Sequence, residues 1–240
     1  MNEQKSLSLT DRMKDYEDVT QLHLTKRTPV IIRLDQKSAS TWTRGLDTFD
    51  PLYVECMEST LQYLMDNIQG AVFGYSVSDE ISLFLRDWDK LTTSAWFDND
   101  LQKLVSVSAS LATAKFNDEV KRKGIPHLSR GLAIFDSRAF VIPKDEVVNY
   151  FIFRQHDGIR NSIQKLGQSL FGHHAIKGLR NNEVKQKIVD EYPDDSWDKL
   201  DAMFKYGIAK RKDESVVTYN VPLFKDDRQY IEDLIYVKGE

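Results

Sequence analysis

A single cysteine, Cys56, is all that this 240-residue chain contains. It therefore supports neither a disulfide framework nor a cysteine-built zinc site. A lone thiol suits a reducing compartment. The start, MNEQKSLSLT, lacks the apolar stretch of a secretory signal. Apolar runs are only a few residues long, too short to cross a bilayer. The expectation is a cytoplasmic protein with no membrane association. A basic excess is missing too: 33 Lys and Arg against 37 Asp and Glu leave a net charge of −4. Bulk charge alone thus argues against a nucleic-acid grip. No Gly-rich phosphate loop of the P-loop or dinucleotide type is present. GYSVS ends on Ser78 where a nucleophile elbow needs glycine. There is no internal repeat, low-complexity tract or Pro/Gly-rich linker.

What remains is ordinary globular material, 41% hydrophobic and 29% charged, long enough to bury a core without staples. Thr10-Asp11 caps a predicted short helix, Asp11 to Val19. PVIIRLD reads as a buried strand ending in a carboxylate. Pro51 opens a helix whose apolar face is Leu61, Leu64, Met65 and Ile68, with Asn67 and Gly70 ending it. AVFGYS and ISLFLR are short strands joined through VSDE, a plausible hairpin. Spacing of three and four predicts a helix from Asp98 to Lys121, broken by Gly124-Ile125-Pro126. Gly131 to Pro143 is another strand region, with a possible bend at Ser137. A long helix should run from Asp145 to Phe171. Weaker helices are expected near Asn182 to Tyr192 and Ser196 to Tyr206, and a hairpin over Gly207 to Val221. This order favours an α+β fold, a palm-like or ferredoxin-like antiparallel sheet covered by helices on one face. The core would span 1–145. The long helix and a helical plus hairpin C-terminal region, 146–240, would continue the same domain.

Two places could carry chemistry. Asp35 ends a strand while Asp79 and Glu80 lie in a hairpin turn, and a palm-like sheet sets those ends side by side. Carboxylates meeting there can hold Mg²⁺, and paired metals about 4 Å apart serve phosphoryl transfer. Strand-end aspartates also simply cap turns, so spacing leaves both readings open. On the long helix, Arg154, Asp157, Asn161, Lys165 and Gln168 share one face, opposite Ile159, Ile163, Leu166 and Leu170. That polar stripe is either a phosphate or base contact or a solvated face. Lys121-Arg122-Lys123 and Lys205 with Lys210-Arg211-Lys212 are read as solvated ends rather than nucleic-acid patches. His173-His174 lacks a third ligand in register. Cys56, beside Val54 and Met57, reads as core.

Together these segments resemble the tRNA-His guanylyltransferase superfamily, and within it the bacterial-type tRNA-His guanylyltransferase-like proteins. The resemblance rests on DRMKDYE, IRLD, YSVSDEISL, FDNDLQKLVSVSASLATAKFN, FDSRAFVIP and VVNYFIFRQHDGIRNSIQKLGQSLF, which are collinear and span most of the chain. It implies a palm-like fold and a nucleotidyltransferase that extends RNA 3′-to-5′. The tRNA 5′ end is activated with ATP or GTP, and the 3′-hydroxyl of an incoming nucleotide then attacks it. Two Mg²⁺ ions would be held by Asp35, Asp79 and the carbonyl of Gln36, with Glu80 supporting the site. Nucleotide contacts would come from Arg33, Gln36, Lys37, Ser38, Ala39, Ser40, Ser78, Lys103, Arg138, Asp157 and Asn161. GIRNSIQ replaces the HINNLYN-like run of the eukaryotic branch, which implies templated 5′-end repair of tRNA rather than untemplated guanosine addition. A homo-oligomer, commonly a tetramer, is implied as well.

One departure concerns the loop after Asp35. The family reads RLDG, then a basic residue and a Phe-His pair, whereas this chain reads RLDQKSAS. Gln36 thus stands in place of a glycine, which matters if glycine's backbone freedom or small size is needed there. RGLDTFDPL also lacks a lysine that the family carries, leaving either Arg44 or nothing in its place. The competing readings are a catalytically altered RNA- or nucleotide-binding module with the same fold, and a nucleotidyl cyclase or related palm enzyme.

Overall fold

The computed structural model of the chain describes residues 8–125 and 131–236. The first helix, α1 (Leu9–Asp18), is capped by Ser8, whose hydroxyl accepts the Asp11 N–H at 3.1 Å. The cap therefore precedes the expected Thr10. The β-branched run after Pro29 forms β1 (Val30–Gln36), followed by the single turn α2 (Ala39–Trp42). Asp50 caps α3 (Pro51–Asn67) by accepting from Leu52 N–H at 2.8 Å. Pro51 sits at the first helical position, where a missing N–H costs nothing.

The hairpin is β2 (Ala71–Val77) and β3 (Glu80–Leu85), with Val77 opposite Glu80 and only Ser78-Asp79 between them. Next come α4 (Leu101–Lys123) and β4 (Phe135–Val141). Gly124 ends α4 at φ 67, the left-handed conformation that glycine tolerates without a Cβ clash. Pro126, read as part of that break, lies outside the described residues. The long helix is α5 (Val147–Phe171), followed by α6 (His173–Ile176) and α7 (Asn181–Glu191).

The strands lie in the order β4-β1-β3-β2, antiparallel throughout, which is the expected ferredoxin-like arrangement. A fifth strand, β5 (Ile208–Arg211), extends the sheet along β2. The hairpin expected over Gly207 to Val221 is reduced to this strand and one bridge, Ala209 to Thr218. The helix expected from Ser196 to Tyr206 divides into a 3-10 turn, Trp197–Lys199, and α8 (Ala202–Tyr206). Leu200 and Asp201 between them are extended, and Trp197 turns inward to donate to Ser162 Oγ at 2.8 Å.

Both sheet faces are covered, where one had been expected. Val30, Ile32 and Leu34 pack under α3 and α4. Ile31, Phe73, Tyr75 and Phe84 pack under the first half of α5 and the C-terminal segment carrying Phe224, α9 (Gln229–Glu232) and Leu234. The physical reason is visible in β2 and β3, which are buried along their whole length and leave no polar face to water. The second half of α5 builds a smaller core with α6, α7 and Trp197. Cys56 is fully buried on the inner face of α3, and burial pushes its thiol up to about 12, which fits a packing residue. Charges in the basic runs are paired at home: Arg122 with Glu119, Lys123 with Glu55, Arg211 with Asp213.

Candidate active site

Strand register builds the site. Asp35 lies opposite Glu80 on β3 and opposite Asp136 on β4, so three acidic residues form one row across the sheet. Directly paired residues share a face, and odd-numbered positions of β1 face α5. The next row on that face is Arg138, Arg33 and Ser82. Asp79 comes from the hairpin turn, where Ser78 holds a left-handed φ of 56. The Gln36 N–H donates to the Asp79 carbonyl at 3.1 Å, fastening that turn to the end of β1.

Glu80 is not a free acid. Its carboxylate accepts Arg33 Nε, Arg154 Nε and Arg154 Nη2, each at 2.6 Å, and Ser82 Oγ at 3.3 Å. Arg154 and Glu80 are both buried, and their paired geometry is the strong two-pronged kind. Burial works to lower the Arg33 pKa, yet the Glu80 charge and hydrogen bond, aided by Asp35, raise it overall. The sequence stripe offered Arg154 to a phosphate or base, and the structure corrects this. Arg154 is spent on Glu80 and, at 3.3 Å, on Asp157. Glu80 with its two arginines is thus a strut beneath the site.

Asp35 is half-exposed. Burial raises its carboxyl pKa, the Asp79 charge adds to this, and Arg33, 3.7 Å from its Oδ2, offsets it in part. A carboxylate whose charge is disfavoured by a second one close by makes, with it, a donor set suited to a hard cation. Among the described residues no group of three His, Cys, Asp or Glu side chains could hold a metal. With Glu80 withdrawn and Asp136 beside Arg138 at 3.8 Å, Asp35 and Asp79 are the pair left for a cation, and Mg²⁺ commonly uses one or two carboxylates, completing its shell with water and phosphate. The residues present fit Mg²⁺ on that count.

Beside the carboxylates lies a cavity of about 460 Å³, walled by Ala39, Ser40, Tyr53, Ser78, Asp79, Lys165 and Gln168 among others. A narrower apolar slot of about 80 Å³ adjoins it, with Phe49, Val54, Val77, Asn161, Met203 and Phe204 in its wall. Tyr53, Ser78 and Lys165 line both. Gly158 makes this possible, because a Cβ there would collide with the Val77 side chain. Its absence lets α5 approach the hairpin turn and hangs Asn161 and Lys165 over it.

Other expected contacts are distributed unevenly. The loop from Asp35 to Ser40 splits, since Lys37 and Ser38 line a separate hollow with Trp42 and Leu132. Gln36 is buried on the α3 side, its Oε1 accepting the Tyr53 hydroxyl at 2.6 Å while its Nε2 has no partner among the described residues. Asp157 is held by Arg154 and Arg160. Arg138 is exposed beside Arg33, 3.8 Å from Asp136. Lys103 stands apart, exposed in the first turn of α4 and lining none of these cavities. Sequence reasoning missed Tyr53, although the Asp50-Pro51 cap places it in the first turn of α3. It also missed the strut, for which the burial of Arg154 between Phe151 and Gly158 at helical spacing was the available signal.

A family profile described as tRNAHis guanylyltransferase (Thg1) matches residues 10–143. Among solved structures, a bacterial tRNA(His) guanylyltransferase (Thg1)-like protein in complex with ATP is 42% identical, covering 96% of this chain and 100% of its own, with a TM-score of 0.91. A second bacterial Thg1-like protein, in complex with GTP, is 39% identical over 96% of this chain and 100% of its own, with a TM-score of 0.80. The tRNA(His) guanylyltransferase of Saccharomyces cerevisiae, at 18% identity over 90% of this chain and 98% of its own, shares the fold with a TM-score of 0.72. No curated protein matches significantly.

Proposed function

This chain belongs to the tRNAHis guanylyltransferase family of nucleotidyltransferases, and we propose that it adds nucleotides to the 5′ end of tRNA in the 3′-to-5′ direction, as templated repair with ATP or GTP as substrates. The observation that carries the reading is Asp79 in the wall of the 460 Å³ cavity, its carbonyl accepting the N–H of Gln36, the residue next to Asp35, at 3.1 Å.

Each residue has a task in that reaction. Asp35, Asp79 and the Gln36 carbonyl would hold two Mg²⁺ ions, which when bound neutralise charge on the attacked phosphate and the leaving oxygen. Glu80, gripped by Arg33 and Arg154, keeps β1, β3 and α5 in register so that Asp35 and Asp79 face each other. This is pre-organisation: the carboxylates are aimed before substrate arrives. Arg138, exposed on the outer strand beside Arg33, is placed to meet phosphate oxygens of a bound chain. Ser78 and Asn161 border the cleft where a nucleoside would lie.

Gln36 bears on the alternative of an altered binding module. Its side chain leaves β1 on the face opposite Asp35 and packs against Tyr53. The carboxylate face is therefore not blocked, which favours the enzyme. The two bacterial Thg1-like proteins described above are in complex with ATP and GTP, and a cleft open to a nucleotide supports the same use here. The negative charge of the chain is consistent with a small RNA footprint assembled across subunits of a homo-oligomer.

The test uses a 5′-phosphorylated, labelled tRNA lacking its first nucleotide, with Mg²⁺ and each nucleoside triphosphate in turn. Growth by the templated nucleotide is expected. Binding without growth would overturn the enzyme reading, and a cyclic nucleotide formed without RNA would point to the cyclase alternative.

A further inference from the structure

Two cations line the cleft without an assigned task, Arg44 and Lys165, and only Lys165 also lines the apolar slot. Lys165 projects from α5 one turn beyond Asn161, at the junction of the polar cavity and the apolar slot. Among the described residues no carboxylate lies within ion-pair distance of its ammonium. The ammonium lies over the Phe49 ring, 5.5 Å from the ring centroid. Asp50, the nearer acid of the loop, is occupied in capping α3 through the N–H groups of Leu52 and Tyr53. Asp79 shares the cavity wall and acts on the ammonium through its charge, without forming an ion pair with it. The loop from Arg44 to Leu52 contributes no lysine, so the ammonium over this part of the cleft comes from α5.

We infer that Lys165 is a positioning residue that receives the phosphate chain of the nucleoside triphosphate, holding it against Ser78 and Asp79. The inference rests on the nucleotidyltransferase reading above. A phosphate chain in the polar cavity would meet an ammonium backed by an aromatic ring, with no competing carboxylate to displace. The walls already withdraw water from this cation: burial lowers its pKa, and Asp79 and Asp50 raise it back in part. An anion arriving there gains more than it would at a fully hydrated lysine. Water still reaches the group, since Lys165 is an exposed residue in the cleft, so a ligand reaches it too.

The experiment measures binding of GTP, guanosine and inorganic tripolyphosphate, each with Mg²⁺, to the full chain and to its Lys165→Met, Lys165→Gln and Lys165→Arg variants. Loss of one charge-assisted contact weakens GTP and tripolyphosphate by about tenfold or more in the Met and Gln variants. Guanosine affinity stays within about twofold, and Arg restores most of the loss. In the 5′-addition assay KM for GTP rises by the same factor while kcat changes little, as expected for contact made equally in ground and transition states. Unchanged tripolyphosphate binding in the folded Met and Gln variants overturns the inference. Lysine-dependent tripolyphosphate binding by a wild-type chain that adds nothing to RNA would keep it and overturn the reaction assigned to the site.

Discussion

Glu80→Gln is the substitution whose consequence follows most directly from the geometry. The change keeps the shape and removes the charge that three guanidinium N–H groups address at 2.6 Å. Arg154 is 7% exposed, so its charge has little water to turn to. Breaking a buried pair from one side costs about 3–5 kcal/mol. Arg33 is more open, with 24% of its side chain accessible, and hydration recovers part of its loss, so the lower end of the range applies. About 3 kcal/mol in a chain of this size lowers Tm by roughly 6–12 °C. Urea unfolding monitored by circular dichroism measures it, with Arg154→Met and the double variant completing a cycle. The coupling energy between Glu80 and Arg154 should be about 2 kcal/mol or more, since the two singles break the same contact. Activity should fall in both singles, because Asp35 loses the neighbour that orders its strand. If Glu80→Gln unfolds within 0.5 kcal/mol of wild type while losing all activity, Glu80 acts directly on substrate or metal and the strut is wrong.

Three further outcomes are expected. Gly158→Ala drives a methyl into Val77; overpacking of about 1–3 kcal/mol exceeds the helix-propensity gain of about 1 kcal/mol, so thermal melts should show net destabilisation and kcat should drop as α5 backs away. The Asp35 carboxyl pKa is raised above its unfolded value, so its favourable contribution is present at low pH and is lost as pH rises through the folded pKa; wild type should therefore lose stability relative to Asp35→Asn on going from pH 4 to 7, and Mg²⁺ should raise the Tm of wild type alone at pH 7. Tyr53→Phe strands the Gln36 Oε1 beside an already partnerless Nε2 and should cost about 1–2 kcal/mol, whereas adding Gln36→Leu removes both polar ends and should recover that loss; a double variant less stable than Tyr53→Phe would refute the orphaned amide.

Much of the fold was legible because short-range signals agreed with the final packing. β1, the two-residue hairpin, α3 after its Asp50-Pro51 start, and α5 all lie where apolar period and turn chemistry put them. What escaped was long-range. β5 is four residues, IAKR, with only two apolar members, too short for alternation to register. It becomes a strand because β2 offers an open edge, and sequence pattern does not encode a partner more than 130 residues away. Coverage of the second sheet face escaped for a related reason: Phe224, Ile231 and Leu234 come from a C-terminal segment with little regular structure.

The site divides along the same line. Asp35 and Asp79 were legible because strand ends and hairpin turns are local features, and the fold only had to bring them together. Glu80 stands next to Asp79 in sequence, and the resemblance gave it a supporting role without saying what it supports. A strand alternates its side chains, however, and Glu80 begins β3 while Asp79 belongs to the turn. One residue of difference sends Glu80 down onto the sheet face, where Arg154 arrives from a helix 74 positions away. The same alternation separates Asp35 from Gln36: one faces α5 and the cleft's catalytic side, the other faces Tyr53. That parity lets the chain carry glutamine at a position where a small residue would be expected without filling the space between the carboxylates. Its cost appears instead on the α3 side, as a buried amide nitrogen with no acceptor among the described residues.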